Sequence, residues 1–376
     1  MGTMQAVSRK LFQKSWFEAG LMIAVFLVSF LALFIIAFRA DTPPGAMSTL
    51  HIVSYLLGFF VLSVSIALVS VIAGIGGGVL FTPIMLAFTP VDSLIIRATG
   101  LIVAMFSGLI ATGTFLRNGL GNFRLSLLLV TSQGIGALIG AKGAIFIYEY
   151  LGVQGEAFIR LVLGLMIALI AVYFLVGGQK LEWPKVNRVD RFTAALNLGQ
   201  SYFERSENRH VEYKLTRAWL GLILTFVVGL VGGFFGMGAG WAITPVQNLA
   251  LGAPLKVAAA NSSIILGMVD CVAVWPYIHI GAIIPLFVLP WLSGQVLGGY
   301  IGSLLLVKIK VNVVRQILIG IMFFTAYGLL TKGLELLAII EATPPIVSIS
   351  VFGLIFIVIL VVIIRTQQLS QGRTAR

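Results

Sequence analysis

Two glycine clusters, each followed by a Thr-Pro pair, are the residues of this sequence best suited to chemistry. The first lies in AGIGGGVLFTP, residues 73–83, and the second in FFGMGAGWAITP, residues 234–245. Glycine allows the main chain to unwind and a ligand to approach the backbone closely. Unpaired N–H groups at the start of a helix that follows such a break favour an anion. The candidate anion ligands of the two segments are Gly76, Gly77, Gly78, Thr82, Gly238, Ala239, Gly240 and Thr244.

Polar side chains within apolar stretches extend this candidate site. A buried amide such as Gln133 or Gln295 is costly unless it is paired, and it can bond to the glycine backbone or to a substrate. Hydroxyls in these stretches can donate to the oxygens of an anion, or bond to their own helix backbone. Gln247 and Asn248 have only Met85 and Leu86 at the equivalent places of the first segment, so they can make the site asymmetric. The further candidate ligands are Thr99, Gln133, Gln247, Asn248, Asn261, Ser262, Ser263 and Gln295.

Four charged residues near these segments could assist an anion. Arg97 and Lys256 flank the two glycine segments and are candidate entrance charges. Lys142 could attract an anion, but snorkelling to the membrane interface is the preferred explanation of its position. Asp270 is the one acid deep in an apolar stretch, and acids inside membranes are functional candidates by default. Asp270 is therefore a candidate coupling residue that could take up a proton within the bilayer.

The composition identifies the setting of these residues. Of 376 residues, 59% are hydrophobic and 10% are charged, and the mean hydropathy is +1.06, which is typical of a polytopic protein in a lipid bilayer. A single cysteine and three scattered histidines argue against a disulfide framework, a metal centre or another cofactor. The net charge of +12 lies mostly between apolar runs, where the positive-inside effect explains it without a nucleic acid partner.

Apolar runs of about 20 residues predict membrane spans. They occupy residues 19–38, 50–72, 94–115, 125–147, 158–176, 219–233, 257–277, 283–307, 313–330 and 346–364. Two shorter runs, residues 79–89 and 241–251, directly follow the glycine clusters and are half a membrane long. The polar segment 177–217 separates two apolar halves, and RFTAALNLGQSYFE within it predicts an amphipathic helix.

The two apolar halves repeat one another at an offset of 162 residues without a gap. Matching hydrophobic residues alone would mean little, but glycine, proline, threonine and glutamine all match in one phase. The matching pairs are Gly74/Gly236, Gly76/Gly238, Gly78/Gly240, Thr82/Thr244, Pro83/Pro245, Ala98/Ala260, Gly119/Gly281, Gln133/Gln295, Gly136/Gly298 and Gly140/Gly302. This phase indicates a duplication.

Charge parity then predicts that the repeats are inverted. In one topology, the chain enters the membrane along the span before each glycine cluster and returns along the short run to the side from which it came. Most basic loops and both termini then lie in the cytoplasm, as the positive-inside rule requires. If each short run only continued a broken span, the basic segment 177–217 would lie outside, against its charge. We therefore predict an all-α polytopic membrane protein with two inverted repeats, paired Gly-broken half-helices and an extra transmembrane helix at each end. The predicted divisions are residues 1–49, 50–176, 177–217 as a cytoplasmic connector, 218–332 and 333–376.

The segments GIGGGVLFTP and GMGAGWAITPVQNLALGAPLKVAAANSS, with the downstream pair GIGALIGA and VLGGYIGS, resemble the sulfite exporter TauE/SafE family over residues 58–332. The sequence departs from the family pattern at Ala239, where the first half has Gly77, and at RATG, where Ala-Thr-Ser is more usual. The resemblance implies a transporter of small sulfur-containing anions.

The predicted function is therefore a secondary transporter of sulfite, thiosulfate or an organosulfonate in a bacterial cytoplasmic membrane, with proton or sodium coupling. An anion channel and a non-transporting scaffold are the alternatives. An enzyme is not predicted, because the scattered histidines and Asp270 form no nucleophile and base pair. A nucleotide-driven pump is not predicted either, since the glycine clusters lack the phosphate-loop lysine.

Overall fold

The computed structural model describes residues 49–73, 76–89, 91–177, 188–204, 209–308 and 312–341, together with isolated positions elsewhere. The predicted first and last spans, residues 19–38 and 346–364, and Gly74 lie outside these ranges.

The described chain is a bundle of apolar helices. Its helices are α1 (Thr49–Ala73), α2 (Gly78–Phe88), α3 (Ser93–Arg117), α4 (Phe123–Gly177), α5 (Arg191–Leu196), α6 (Ala218–Phe235), α7 (Gly240–Pro245), α8 (Leu255–Ala273), α9 (Trp275–His279), α10 (Pro285–Lys308) and α11 (Asn312–Leu336). Six described helices are long and apolar enough to cross a membrane. Gly152, at φ 50° and ψ −127°, divides the 55-residue α4, and we call the parts before and after it α4a and α4b. The predicted class, an α-helical multi-pass membrane protein, is confirmed.

The connector differs from its prediction. The expected amphipathic helix covers only α5, because Asn197 turns into the left-handed region at φ 46° and ends it. The chain then forms an antiparallel hairpin of β1 (Gln200–Glu204) and β2 (Arg209–Tyr213), in which Gln200 pairs with Tyr213. Alternating burial along β1 follows the two-residue period of a strand. The helix prediction beyond Leu196 was therefore wrong.

Each short helix follows a break at a glycine cluster. Helix α2 begins at Gly78 and α7 at Gly240, but Pro83 is the sixth residue of α2, one turn further in than predicted. Pro245 ends α7, and the chain continues as a π-helical turn, Val246–Ala250. Proline lacks an N–H and its ring crowds the carbonyl one turn earlier, which accounts for a widened turn here.

Helix starts repeat at the predicted offset. Helices α7, α8 and α10 begin 162 residues after α2, α3 and α4, respectively. Local sequence signals at Gly78 and Gly240 therefore begin helices in the same way in both halves.

Close glycine contacts join α4a of the first half to α6 of the second. A Cβ atom at Gly136 would overlap the carbonyl oxygen of Phe226, and one at Gly140 would overlap that of Leu230. Because both residue numbers increase together, α4a and α6 run in the same direction. Small residues permit such backbone approach between membrane helices.

The equivalent contacts join α10 of the second half to α1 of the first. A Cβ atom at Gly298 would overlap the carbonyl oxygen of Val64, and one at Gly302 would lie 3.1 Å from that of Leu68. Each of these four residues lies 162 positions from its counterpart in the α4a–α6 contact. The two halves therefore exchange matching contacts.

Helices α3 and α8 cross in opposite directions. At one end, the backbone N–H of Asn122 donates to Asn261 Oδ1 at 2.6 Å. In the middle, a Cβ atom at Gly108 would lie 2.7 Å from the backbone nitrogen of Gly267. At the other end, Arg97 interacts electrostatically with Tyr277. We call the end at Asn122 the connector end and the end at Arg97 the far end.

Replacing Gly140 with alanine should destabilise the bundle, since its Cβ would overlap the Leu230 carbonyl oxygen. Overpacking of this kind costs about 1–3 kcal/mol. Gly134→Ala in the same helix is the matched control, because a Cβ there meets nothing within 4 Å. Thermal unfolding of the detergent-purified variants should show a loss for Gly140→Ala and none for Gly134→Ala. Equal behaviour of the two variants would contradict the close α4a–α6 contact.

Candidate functional site

The two glycine breaks meet in the middle of the bundle. A Cβ atom at Gly76 would lie 2.6 Å from Leu266, and one at Gly238 would lie 2.7 Å from the same side chain. A Cβ atom at Gly78 would lie 2.6 Å from the carbonyl oxygen of Met237, in the second cluster. The fully buried Leu266 of α8 thus lies between the clusters. We call this meeting point the glycine junction.

The backbone at the junction requires glycine at particular positions. Gly76 has φ +79° and Gly238 has φ +69°, a region in which side chains with a Cβ are strained. Gly77 caps α2 and its N–H donates to Ser107 Oγ at 3.2 Å. A Cβ atom at Gly77 would overlap Gln295 Oε1. These positions therefore have room for a hydrogen atom but not for a methyl group.

Unpaired acceptor atoms face the junction. Asp270 is 1% exposed, and its Oδ2 atom would lie 2.8 Å from a Cβ at Gly238. Gln295 Nε2 donates to the backbone and side-chain oxygens of Ser63, both at 3.2 Å. Asp270 Oδ2 and Gln295 Oε1 have no hydrogen-bond partner among the described residues. Such groups are costly to bury without a partner, so they favour a bound proton, donor or ligand.

Gln133, the counterpart of Gln295, is also buried. Neither atom of its side-chain amide has a hydrogen-bond partner in the described part of the chain. A Cβ atom at Gly229 of α6 would lie 3.0 Å from Gln133 Cγ. Gln133 therefore offers both a donor and an acceptor between α4a and α6.

The other predicted amide side chains bond at the connector end. Asn261 accepts from the Asn122 N–H and donates to Gln247 Oε1 at 3.1 Å. Gln247 Nε2 approaches the Ala258 carbonyl at 3.5 Å, and Asn248 Nδ2 donates to the Ala253 carbonyl at 2.8 Å. The structure therefore links Gln247 to Asn261 and ties Asn248 to the backbone of the following loop, away from the glycine junction.

Hydroxyl groups divide between local and long-range bonds. Thr99 donates to the Ile95 carbonyl at 2.8 Å, and Ser262 and Ser263 both donate to the Ala259 carbonyl. The hydroxyl groups of these three residues therefore bond to the backbone of their own helix, which was the alternative to anion binding. Thr82 instead donates to the Gly236 carbonyl at 2.6 Å, so it ties α2 to the second break.

The remaining predicted positions lie in α7 and at its start. Thr244 is 5% exposed, Ala239 is 2% exposed, and Gly240 begins the helix. A Cβ atom at Gly232 of α6 would lie 2.9 Å from the Ala239 side chain. Ala239 therefore packs where α6 and α7 approach each other.

The predicted entrance charges are inside the protein. Lys256 Nζ contacts Glu204 Oε1 of β1 at 2.6 Å, with 13% and 2% of the two side chains exposed. Arg97 is fully buried and contacts Glu156 Oε1 at 3.1 Å. Neither is a surface charge, whereas Lys142 is exposed, as snorkelling predicts.

The connector closes its end of the bundle through polar anchors. Asp190 caps α5 and also accepts from the Arg217 N–H at 2.6 Å. The hydrogen bond from the Thr193 side chain is the main cause that lowers the pKa of Asp190 to about 2. Thr216 N–H donates to the Leu251 carbonyl at 3.0 Å, so the α6–α7 pair begins and ends at the connector end.

Three neighbours of the candidate residues were not predicted: Ser107, Leu266 and the Glu156–Arg160 pair. Glu156 and Arg160 are four residues apart at the start of α4b, a spacing that places both on one helix face. That signal was available in the sequence. Ser107 and Leu266 carried no comparable signal, because single residues of these types are common in apolar helices.

The fold and site define a class: an α-helical multi-pass membrane transporter, in which broken helices meet at mid-bundle, as they do in transporters built from repeats. More particularly, the chain belongs to the family described as sulfite exporter TauE/SafE, whose model matches residues 59–329. It is 23% identical over 268 residues to the "Probable membrane transporter protein YunE" of Bacillus subtilis (strain 168), a match covering 69% of this chain and 92% of that protein. No solved structure matches the chain. The predicted family resemblance is confirmed.

Proposed function

We propose that this protein is a secondary transporter of a small sulfur-containing anion, such as sulfite, thiosulfate or an organosulfonate, and that the anion binds at the glycine junction. The observation that carries the proposal is the approach of Gly76 and Gly238 to the same side chain, Leu266, midway along α3 and α8. The starts of α2 and α7 adjoin this point and bring backbone N–H groups to it. Such groups stabilise negative charge. The family described as sulfite exporters supports the choice of anion.

We also propose that the two halves are inverted repeats. The matching contacts of α4a with α6 and of α1 with α10 support an approximate two-fold relation. The opposite directions of α3 and its counterpart α8 support inversion. If the basic connector lies in the cytoplasm, both termini also lie on the cytoplasmic side of a bacterial cytoplasmic membrane. Alternating access would then open the glycine junction first to one end and then to the other.

A proton accompanies the anion in this mechanism. An ionised Asp270 beside Gly238 would repel an anion at the junction, whereas a neutral carboxyl can donate a hydrogen bond to it. In uptake, anion entry against an inside-negative potential costs about 2.3 kcal/mol per charge per 100 mV. A proton carried on Asp270 cancels this cost for one negative charge, and so for the whole of a singly charged anion.

A ligand panel tests the proposed function on the purified full-length protein. Thermal unfolding is measured with sulfite, thiosulfate, sulfate, taurine, isethionate and sulfoacetate, with chloride at equal ionic strength as the control. A bound anion at 100 times its Kd stabilises the folded state by about 2.7 kcal/mol. Proteoliposome flux of the stabilising anion follows. Saturable flux at carrier rates supports the proposal, currents far above carrier turnover indicate the channel, and no stabilisation by any sulfur anion indicates the scaffold.

A further inference from the structure

A buried charged cluster lies at the far end of α3 and α4b. It consists of Arg97, Glu156 and Arg160, and we call it the arginine cluster. Arg97 Nη2 lies 3.1 Å from Glu156 Oε1, and Arg160 Nη2 lies 3.6 Å from Glu156 Oε2. The residues are 0%, 8% and 8% exposed. Two guanidinium groups therefore share one carboxylate in a largely buried position.

Two further acids, Asp92 and Glu335, act on Arg160 over a longer distance, but neither contacts a guanidinium group of the cluster directly. Asp92 Oδ1 accepts from the N–H of Leu94 at 2.9 Å, and its Oδ2 accepts from Tyr148 Oη at 2.5 Å. Ser93 Oγ donates to Glu156 Oε1, so it adds a donor to the single carboxylate. The cluster has one positive charge more than it has carboxylates.

Three guanidinium nitrogens in the cluster lack a partner. Arg97 Nε, Arg97 Nη1 and Arg160 Nε have no acceptor within normal hydrogen-bond distance among the described residues, and the Tyr277 hydroxyl that faces Arg97 donates to the Gly233 carbonyl. Glu156 Oε2 makes only its 3.6 Å ionic contact with Arg160. Buried charged donors without acceptors are strongly unfavourable unless an anion or other acceptor satisfies them. Guanidinium groups suit the oxygens of such an anion particularly well.

The arginine cluster adjoins the second glycine break. A Cβ atom at Gly236 would overlap Arg97 Cβ, and Gly236 lies two residues before Gly238 of the glycine junction. Tyr277, which donates to the Gly233 carbonyl at 3.2 Å, interacts with Arg97. An anion held by Arg97 would therefore lie between the glycine junction and the far end of the bundle.

We infer that the arginine cluster is a second binding site for a singly charged oxyanion of the sulfonate type, at which the anion and Glu156 compete for the two guanidinium groups. The inference rests on the proposed function for its role, which is to receive the anion on its path between the junction and the far end. Glu156 holds the arginines in place when the anion has moved on. Competition keeps the binding weak enough for release.

Glu156→Gln tests the competition, because it removes the competing charge but keeps the shape of the side chain. Methanesulfonate is the probe, and its binding to the full-length protein is measured by calorimetry. The Kd at this site should fall at least about tenfold, since close charge pairs couple strongly. Glu212→Gln is the control, because Glu212 is an exposed acid on β2 at the connector end, away from both arginines. An unchanged Kd in Glu156→Gln would overturn the inference.

Arg160→Gln provides a second test, because it leaves Arg97 and Glu156 as a pair of equal and opposite charge. This test remains valid even if the Glu156→Gln variant does not fold. It should weaken methanesulfonate binding at least about tenfold, whereas a purely structural ion pair predicts no change in binding.

Binding by Glu156→Gln/Gly238→Leu separates this inference from the proposed function. If this double variant still binds methanesulfonate tightly and the wild type shows no anion flux, the transporter proposal is wrong but the second site stands. Normal flux in the wild type, with methanesulfonate affinity unmoved by Glu156→Gln and Arg160→Gln, would remove the second site and leave the transporter.

Discussion

Replacing Gly238 with leucine is expected to reduce anion flux about 100-fold, because the new side chain would take the space of the anion; such a loss of binding corresponds to about 2.8 kcal/mol. Gly238 has φ +69°, and its Cβ would lie 2.7 Å from Leu266 and 2.8 Å from Asp270 Oδ2. A leucine side chain would thus occupy the glycine junction. Flux into proteoliposomes and anion-dependent thermal stabilisation should both be lost. Gly77→Leu should act in the same way, since its Cβ would overlap Gln295 Oε1.

Gly281→Leu is the matched control for backbone strain. Gly281 has φ +72° and a Cβ there meets nothing within 4 Å, so the strain is equal and the junction is untouched. This variant should retain most of its flux. If Gly238→Leu is folded by size-exclusion chromatography and transports like Gly281→Leu, the glycines serve only helix packing.

Asp270→Asn is expected to remove the dependence of anion uptake on a proton gradient. Asparagine keeps the size and a hydrogen-bond donor beside Gly238, so binding of the anion should persist. Gradient-driven uptake should fall at least about tenfold, which corresponds to a loss of about 1.4 kcal/mol. The measurement is uptake into proteoliposomes at a series of imposed pH differences, with anion binding measured in parallel. If the protein is an exporter driven by the membrane potential, efflux should remain nearly intact.

Cys271→Ala is the control for local packing in α8. Its side chain donates to the Gly267 carbonyl of its own helix at 3.0 Å and carries no exchangeable carboxyl proton. Uptake by this variant should keep its dependence on pH. Unchanged proton-driven uptake in Asp270→Asn would show that the proton travels by another route, for example on the anion itself.

Several parts of the fold could be predicted from the sequence because they depend on local chemistry. Apolar runs of span length require backbone groups to pair within helices in a bilayer, which determined the membrane class. Gly78 and Gly240 begin short helices at the predicted offset of 162 residues, because glycine and proline act on the backbone of their own segment. The connector hairpin was not predicted, since its two-residue burial period appears only when β2 pairs with β1.

The candidate site was only partly predictable for a related reason. The meeting of Gly76 with Gly238 followed from the repeat, and the geometry of Leu266 between them is consistent with it. The partners of the polar side chains did not follow. Asn261 bonds to Asn122 across 139 residues, and Arg97 bonds to Glu156 across 59 residues.

The sequence by itself therefore determined the lipid setting, the 162-residue spacing of the helix starts and the positions of the helix breaks, since each depends on residue type and spacing along the chain. Only the tertiary structure decided which polar groups are satisfied and which remain unpaired. It assigned Asn261 to the connector end, left Asp270 Oδ2 facing the glycine junction, and enclosed Arg97 with Glu156 and Arg160. The physical reason is that a buried polar group takes whichever partner the packing brings within about 3 Å, and the packing of helices distant in sequence is not encoded in any one of them.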